Sequence, residues 1–204
     1  MNKEIQIIDV GIGNISSVYN MLNRIGAKAT MVSSPENISP TSKLILPGVG
    51  SFDAGISALR SHDMDNAIIE AACRGSFILG ICLGMQLLFK NSEEGILPGL
   101  GMIDGHVERM KIKDSSIKIP HMGWNIIRPV QNSSLFSEKD DNQRFYFVHS
   151  YHVVCDNKSD VTAVVTHGYD FTCSIQHDNI LGVQFHPEKS HRYGMELMKK
   201  FVEL

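Results

Sequence analysis

Long apolar runs, paired cysteines and an excess of one charge are all missing from this 204-residue chain. No stretch approaches the roughly 18 apolar residues of a membrane-spanning helix, so no membrane association is expected. The opening segment lacks the basic, apolar and small-residue zones of a secretory signal and runs straight into Glu4-Ile-Gln-Ile-Ile-Asp-Val10. The four cysteines (Cys73, Cys82, Cys155, Cys173) make no C-x-x-C pair and no ligand-like spacing. That argues against a disulfide scaffold or a zinc site and for free thiols in the cytoplasm. A net charge of −3 leaves no basic surface for nucleic acid. Internal repeats and low-complexity tracts are absent as well. What remains is ordinary for a globular protein, 43% hydrophobic and 20% charged, and long enough to bury a real core. A single domain over residues 1–204 is expected.

The first half alternates strand and helix. Glu4–Val10 reads as a strand, Asn14 as an N-cap, and Ile15–Ile25 as an amphipathic helix with Val18, Leu22 and Ile25 on one stripe. Ala27–Val32 and Lys43–Leu46 are further strands, the latter stopped by Pro47-Gly48. Helices follow over Phe52–Arg60 and Asp65–Arg74, then an apolar strand over Phe77–Ile81. The second half is β-rich: Met102–Met110, Gly123–Pro129, Phe145–Cys155, Val161–His167, Phe171–Gln176 and Ile180–Phe185 read as strands. Gln131–Arg144 is polar enough for a mobile loop, and Ser190 is placed to cap a closing helix through Leu204. The pattern predicts an α/β fold with a mixed, mainly parallel sheet flanked by helices. Ligands of such sheets bind at the carboxyl ends of strands, where Gly11–Gly13, Gly48–Gly50 and Gly80–Gly84 lie.

Gly80-Ile-Cys82-Leu-Gly84 carries the most chemistry. An apolar strand leads into one cysteine flanked by small residues, and a helix-like run leads out, as in a nucleophile elbow. There Cys82 stands at a helix N-terminus, which favours negative charge. The plainer alternative is a packed thiol at a Gly-bounded strand end. A thiolate nucleophile needs a base and a group that orients the base. Nine histidines do not choose among themselves, but Ile180-Leu-Gly-Val-Gln-Phe185 delivers His186-Pro187-Glu188 at a strand end. In extended backbone residues two apart point the same way, so Glu188 is placed to fix the His186 tautomer and leave the other ring nitrogen to Cys82. The Pro47-Gly48-Val49-Gly50 turn exposes backbone N–H groups suited to an oxyanion, with the N–H of Leu83 as a second donor. Gln86, one helical turn past Cys82, either faces the same pocket or is solvated. A dinucleotide site is disfavoured: Asp9-Val-Gly11-Ile-Gly13-Asn14 lacks a third glycine, and Ser33-Ser34 stands where an acid is needed. His149 and His152, three apart in a strand, make a poor metal pair, so neither cofactor nor metal is expected.

Taken together, Gly80–Gln86, Pro47–Gly50 and Gln184-Phe-His186-Pro-Glu188 resemble the triad-type (class I) glutamine amidotransferases. More narrowly, Asp9-x-Gly11-x-Gly13-Asn14, Pro120-His-Met-Gly-Trp-Asn125, Tyr146-Phe-Val-His149-Ser-Tyr151 and His186–Ser190 resemble glutaminase subunits of imidazole glycerol phosphate synthases. The resemblance implies a flavodoxin-like, class I amidotransferase fold, and glutamine as substrate. It further implies Cys82, His186 and Glu188 as the catalytic triad, an oxyanion hole from Gly48, Val49, Gly50 and Leu83, and Gly50 and Gln86 against the substrate. The implied partner is a (β/α)8-barrel synthase subunit in a heterodimer, which receives ammonia through a channel and faces Asn14, Met122, Trp124, Tyr146 and Lys189. Val10 departs from an aromatic residue usual in the family. The ending Ser190–Phe201, with Tyr169-Asp-Phe171 and Ser174-Ile-Gln176, looks more like paralogues that supply ammonia for a surface-polysaccharide sugar. Peptidase-like relatives of the fold carry histidine directly after the cysteine, where Leu83 stands here. A non-catalytic relative would have a broken triad.

Overall fold

The computed structural model describes residues 4–40, 42–137 and 142–204. Its spine is a parallel block of five strands: β1 (Ile5–Ile8), β2 (Ala29–Val32), β3 (Lys43–Gly48), β4 (Ile78–Cys82) and β11 (Ile180–Val183), in the order β2-β1-β3-β4-β11. β1, β3, β4 and β11 are buried along their whole length, as expected of strands covered on both faces. Alternation still sorts their side chains. Ile45 joins the core on one face, while Leu44 and Leu46 join the core on the other.

Two helices cover each face. α1 (Ile15–Arg24) and α5 (His191–Glu203) lie on one side, burying Val18 and Leu22 and then Leu197, Met198 and Phe201. α2 (Phe52–Ser61) and α3 (Met64–Cys73) lie on the other, burying Phe52, Ile56, Leu59 and Ile68. The apolar residues recur at helical spacing, so packing supplies what propensity alone does not. Asn14 occupies the N-cap position of α1, but its side chain makes no capping bond. Ser190 also departs from the expected cap of α5. Its hydroxyl donates to the His186 carbonyl at 2.6 Å and accepts the Tyr146 N–H at 3.0 Å, which ties the base's turn to the neighbouring strand.

Beyond β11 the sheet turns antiparallel, continuing β10 (Asp170–His177), β9 (Val161–Thr166), β6 (His121–Pro129) and β7 (Arg144–His149). The strand expected over Phe145–Cys155 is two strands. Ser150 separates β7 from β8 (Tyr151–Cys155), which leaves the path to pair with β5 (Gly105–Arg109) and β10. The break shows only in the pairing, because β7 and β8 lie against different partner strands. The expected loop over Gln131–Arg144 includes 138–141, which lie outside the described residues. Leu135 and Phe136 within it are buried in the core, behind a turn closed by Ser133 N–H to the Phe136 carbonyl at 2.8 Å.

Candidate active site

The register of the parallel block puts Gly48 beside Cys82, so the ends of β3 and β4 meet at the same level as the end of β11. Cys82 ends β4 and caps α4 (Leu83–Leu87) with φ 56° and ψ −112°. A non-glycine residue in that region is strained, and such strain collects where a side chain must be presented at a fixed angle. The elbow is kept tight by glycine: a Cβ at Gly84 would overlap the Leu46 carbonyl oxygen, and one at Gly48 would come within 2.8 Å of the Gly84 nitrogen. Gly48 therefore works behind the site as a contact surface for the elbow, while Val49 and Gly50 reach into the cleft.

That cleft has a volume of about 320 Å³ and is lined by Val49, Gly50, Cys82, Leu83, Gln86 and His186, with Glu94 and the Val148–Tyr151 segment completing it. It is of a size for a small metabolite. His186 N–H donates to the Tyr146 carbonyl at 2.9 Å, and a one-turn 3₁₀ segment over Pro187–Lys189 carries Glu188 back onto the ring. His186 Nδ1 and Glu188 Oε1 are 2.8 Å apart, and each side chain is 2% exposed. Burial by itself pushes the imidazole pKa down. The Cys82 sulfur and then the Glu188 carboxylate more than offset it, and the ring is raised to about 9. Nε2 is buried without a well-formed hydrogen bond, and the group acting on it is Cys82. Burial pushes the Cys155 thiol up to about 12 and raises that of Cys173, and neither lines the cleft.

Gln86 is buried and belongs to the cleft. Its Nε2 donates to the Tyr151 carbonyl and to Gln184 Oε1, both at 3.1 Å. Gln184, the first residue of the Gln184-Phe-His186-Pro-Glu188 motif and not among the expected site residues, sends its own Nε2 toward Cys82 Sγ at 3.8 Å. Glu94 was also missed. It is half-buried, its Oε2 accepts the Phe52 N–H at 2.8 Å at the start of α2, and it is the acidic side chain in the cleft. Asp53 steadies the Glu94 loop by accepting the N–H groups of Ile96 and Leu97. No local pattern marks it, because its backbone partner Phe52 stands 42 residues away in the chain.

Met122 and Trp124 project from β6, 63% and 40% exposed, and Trp124 opposes Tyr146 in the register. Lys189 Nζ lies 5.7 Å from the Tyr146 ring centroid, and Trp124 stacks on His191 at 5.3 Å. Four of the five expected interface residues thus share one surface beside the His186 turn. Asn14 stands elsewhere, half-buried on the loop whose Gly13 packs against Pro47. His149 and His152 are both buried with different partners, His149 in the cleft wall and His152 against the Tyr169 hydroxyl at 2.8 Å.

A strained cysteine elbow that shares a cleft with a buried His–Glu pair has the parts of amide- or ester-cleaving machinery, and comparison with known proteins supplies the family. The family Glutamine amidotransferase class-I matches residues 6–204. The chain belongs to the class-I glutamine amidotransferases. Among curated relatives, the imidazole glycerol phosphate synthase subunit HisH 2 of Pseudomonas aeruginosa is 47% identical, covering 98% of this chain and 99% of its own length. HisH 2 of Methanococcus maripaludis is 45% identical, with 98% of each chain covered. HisH of Sulfurimonas denitrificans is 43% identical over 98% and 97%. Among solved structures, PurLQS from Thermotoga maritima matches with TM-score 0.77 at 20% identity, covering 100% of this chain and 99% of that one. A glutamine amidotransferase crystal structure matches at 0.74 and 19%, over 98% and 97%. At those identities the structures speak for the class-I amidotransferase fold.

Proposed function

We infer that this chain is the glutaminase subunit of an imidazole glycerol phosphate synthase, with residues 1–204 acting as one domain in the cytoplasm. The observation that carries the chemistry is the positive-φ Cys82 at the mouth of a cleft it shares with the His186–Glu188 pair. The steps follow from these groups. Sγ, its proton already held on His186 Nε2, attacks the side-chain carbonyl carbon of glutamine. The carbonyl oxygen becomes an oxyanion, met by backbone N–H groups of the Val49–Gly50 turn and Leu83. The C–N bond breaks, and the nitrogen leaves as ammonia with the proton that His186 returns. Water then attacks the γ-glutamyl thioester, again giving its proton to His186, and glutamate departs with the thiol restored. Glu188 holds the ring in the tautomer this requires. Glu94 pairs with the substrate's ammonium group, and Gly50 and Gln86 bound the side-chain amide.

The barrel-shaped synthase subunit docks on Met122, Trp124, Tyr146 and Lys189, and receives the ammonia. Exposed aromatic and thioether side chains beside a catalytic mouth are what an interface core is made of. The Gly48–Val49 peptide is the switch: its orientation decides whether an N–H faces the oxyanion. The experiment is glutamine hydrolysis by the chain with its barrel partner, in the presence of either the phosphoribulosyl-formimino carboxamide nucleotide or an activated sugar. Stimulation by the nucleotide is expected. Stimulation by the sugar alone assigns the chain to the polysaccharide paralogues.

A further inference from the structure

Two buried histidines that take no part in the hydrolytic steps have a fully determined polarity. The Tyr151 carbonyl only accepts, and His149 Nδ1 lies 2.8 Å from it, so His149 carries its proton on Nδ1. Burial lowers the His149 pKa to about 3, so the ring is neutral and its Nε2 is bare. Nε2 therefore accepts, and the atom it meets at 3.0 Å is His121 Nδ1, which donates. His121 is held at about 4 by burial and then by His167, so its own Nε2 is bare and accepts from Asn125 Nδ2 at 3.1 Å. Asn125 has one orientation: its Nδ2 also donates to the Thr166 carbonyl at 2.9 Å, and its Oδ1 accepts the Ile126 N–H at 2.8 Å. At the other end the Tyr151 carbonyl also receives Gln86 Nε2, which donates to Gln184, which faces the Cys82 sulfur. A connected line of hydrogen bonds thus joins Asn125 to the nucleophile, its two arms converging on the Tyr151 carbonyl, which accepts from both.

Its outer end lies on β6. His121 and Asn125 sit on one face of that strand, and Met122 and Trp124 project from the other. We propose that His121 and His149 are positioning residues that fix Gln86 and Gln184 around Cys82 and carry docking on the Met122–Trp124 face to that site. The docking half of this rests on the function proposed above.

The test uses the full chain in complex with its barrel partner, with glutamine as substrate. His121→Phe keeps a ring in the stack between Phe147 and His167, whose centroids lie 4.5 and 4.3 Å away, but donates nothing. His121→Asn keeps an N–H near the Nδ1 position and gives up the ring. A positioning role predicts a kcat loss of about tenfold in His121→Phe with KM within about twofold, and recovery to within about threefold of wild type in His121→Asn. A packing role predicts the reverse order, and that order overturns the proposal. Adding His149→Phe to His121→Phe is expected to cost no more than the worse single change, because both break one line; multiplied losses overturn it. If the aromatic variants do not fold, Asn125→Ala at the half-exposed end decides. The ratio of hydrolysis with and without the synthase nucleotide should fall at least about threefold, and an unchanged ratio overturns the coupling. Failure of the docking reading shows separately, as partner binding undiminished in Trp124→Ala by calorimetric titration. In that case the rate of Cys82 alkylation by iodoacetamide in the isolated chain, ranked across His121→Phe and His121→Asn, still decides the positioning role.

Discussion

Replacing Glu188 by Gln removes a charge from a buried pair while keeping its shape. Glu188 and His186 are 2.8 Å apart and each 2% exposed, so nothing in solvent replaces the lost carboxylate. The folded chain prefers the protonated ring, whose pKa rises from 6.5 to about 9. This contribution to stability is therefore complete below about pH 6.5 and is lost as pH climbs through about 9. The net rise, left after the opposing effect of burial, corresponds to roughly 3 kcal/mol, and Glu188→Gln is expected to forfeit on the order of 1 kcal/mol or more. In urea titrations from pH 6 to 10, the wild-type midpoint should fall across that window and the variant's profile should be flatter. Function suffers more than stability. An amide can donate to Nδ1, which leaves the hydrogen on Nε2 facing the sulfur, the wrong tautomer for a base. By analogy with serine-protease triads kcat should drop by about 10²–10⁴-fold. Activity within tenfold of wild type, or parallel stability profiles, would refute the reasoning.

Three further outcomes follow from the geometry. Gly84→Ala places a Cβ on the Leu46 carbonyl, so it should destabilise by about 3 kcal/mol or more in denaturant unfolding, against the small effect of such a change in an open helix. Glu94→Gln should raise KM for glutamine about tenfold with kcat within about threefold, because the charge lost is one the substrate's ammonium meets equally before and during reaction. Trp124→Ala should weaken partner binding by about 2–4 kcal/mol in calorimetric titration while moving the isolated chain's Tm by no more than a few degrees.

Much of the parallel block was legible because each buried strand is a local apolar run ended by glycine, proline or the site itself. His186-x-Glu188 was legible for the same reason, since two residues at a strand end need no distant partner to face one way. The juxtaposition of Cys82 with His186 required the adjacency of β4 and β11, which the family resemblance supplied and periodicity did not. What stayed hidden depends on pairing across long sequence separations. Ser150 is a break only because β8 finds β5 and β10, and Gln184 is a sulfur neighbour only because β11 lies beside β4. Ser190 fits the pattern of a cap, yet its hydroxyl is claimed by His186 and Tyr146, a tertiary contact that outweighs the local preference.

The reaction proposed here makes Cys82 the nucleophile for glutamine. It is tested most directly by measuring glutamate and ammonia released by the nucleotide-stimulated complex, wild type against Cys82→Ala, with the γ-glutamyl adduct sought by mass spectrometry after acid quench. Equimolar products and an adduct on Cys82 are expected in wild type, and neither in the variant. Glutamine hydrolysis that persists in Cys82→Ala would contradict it.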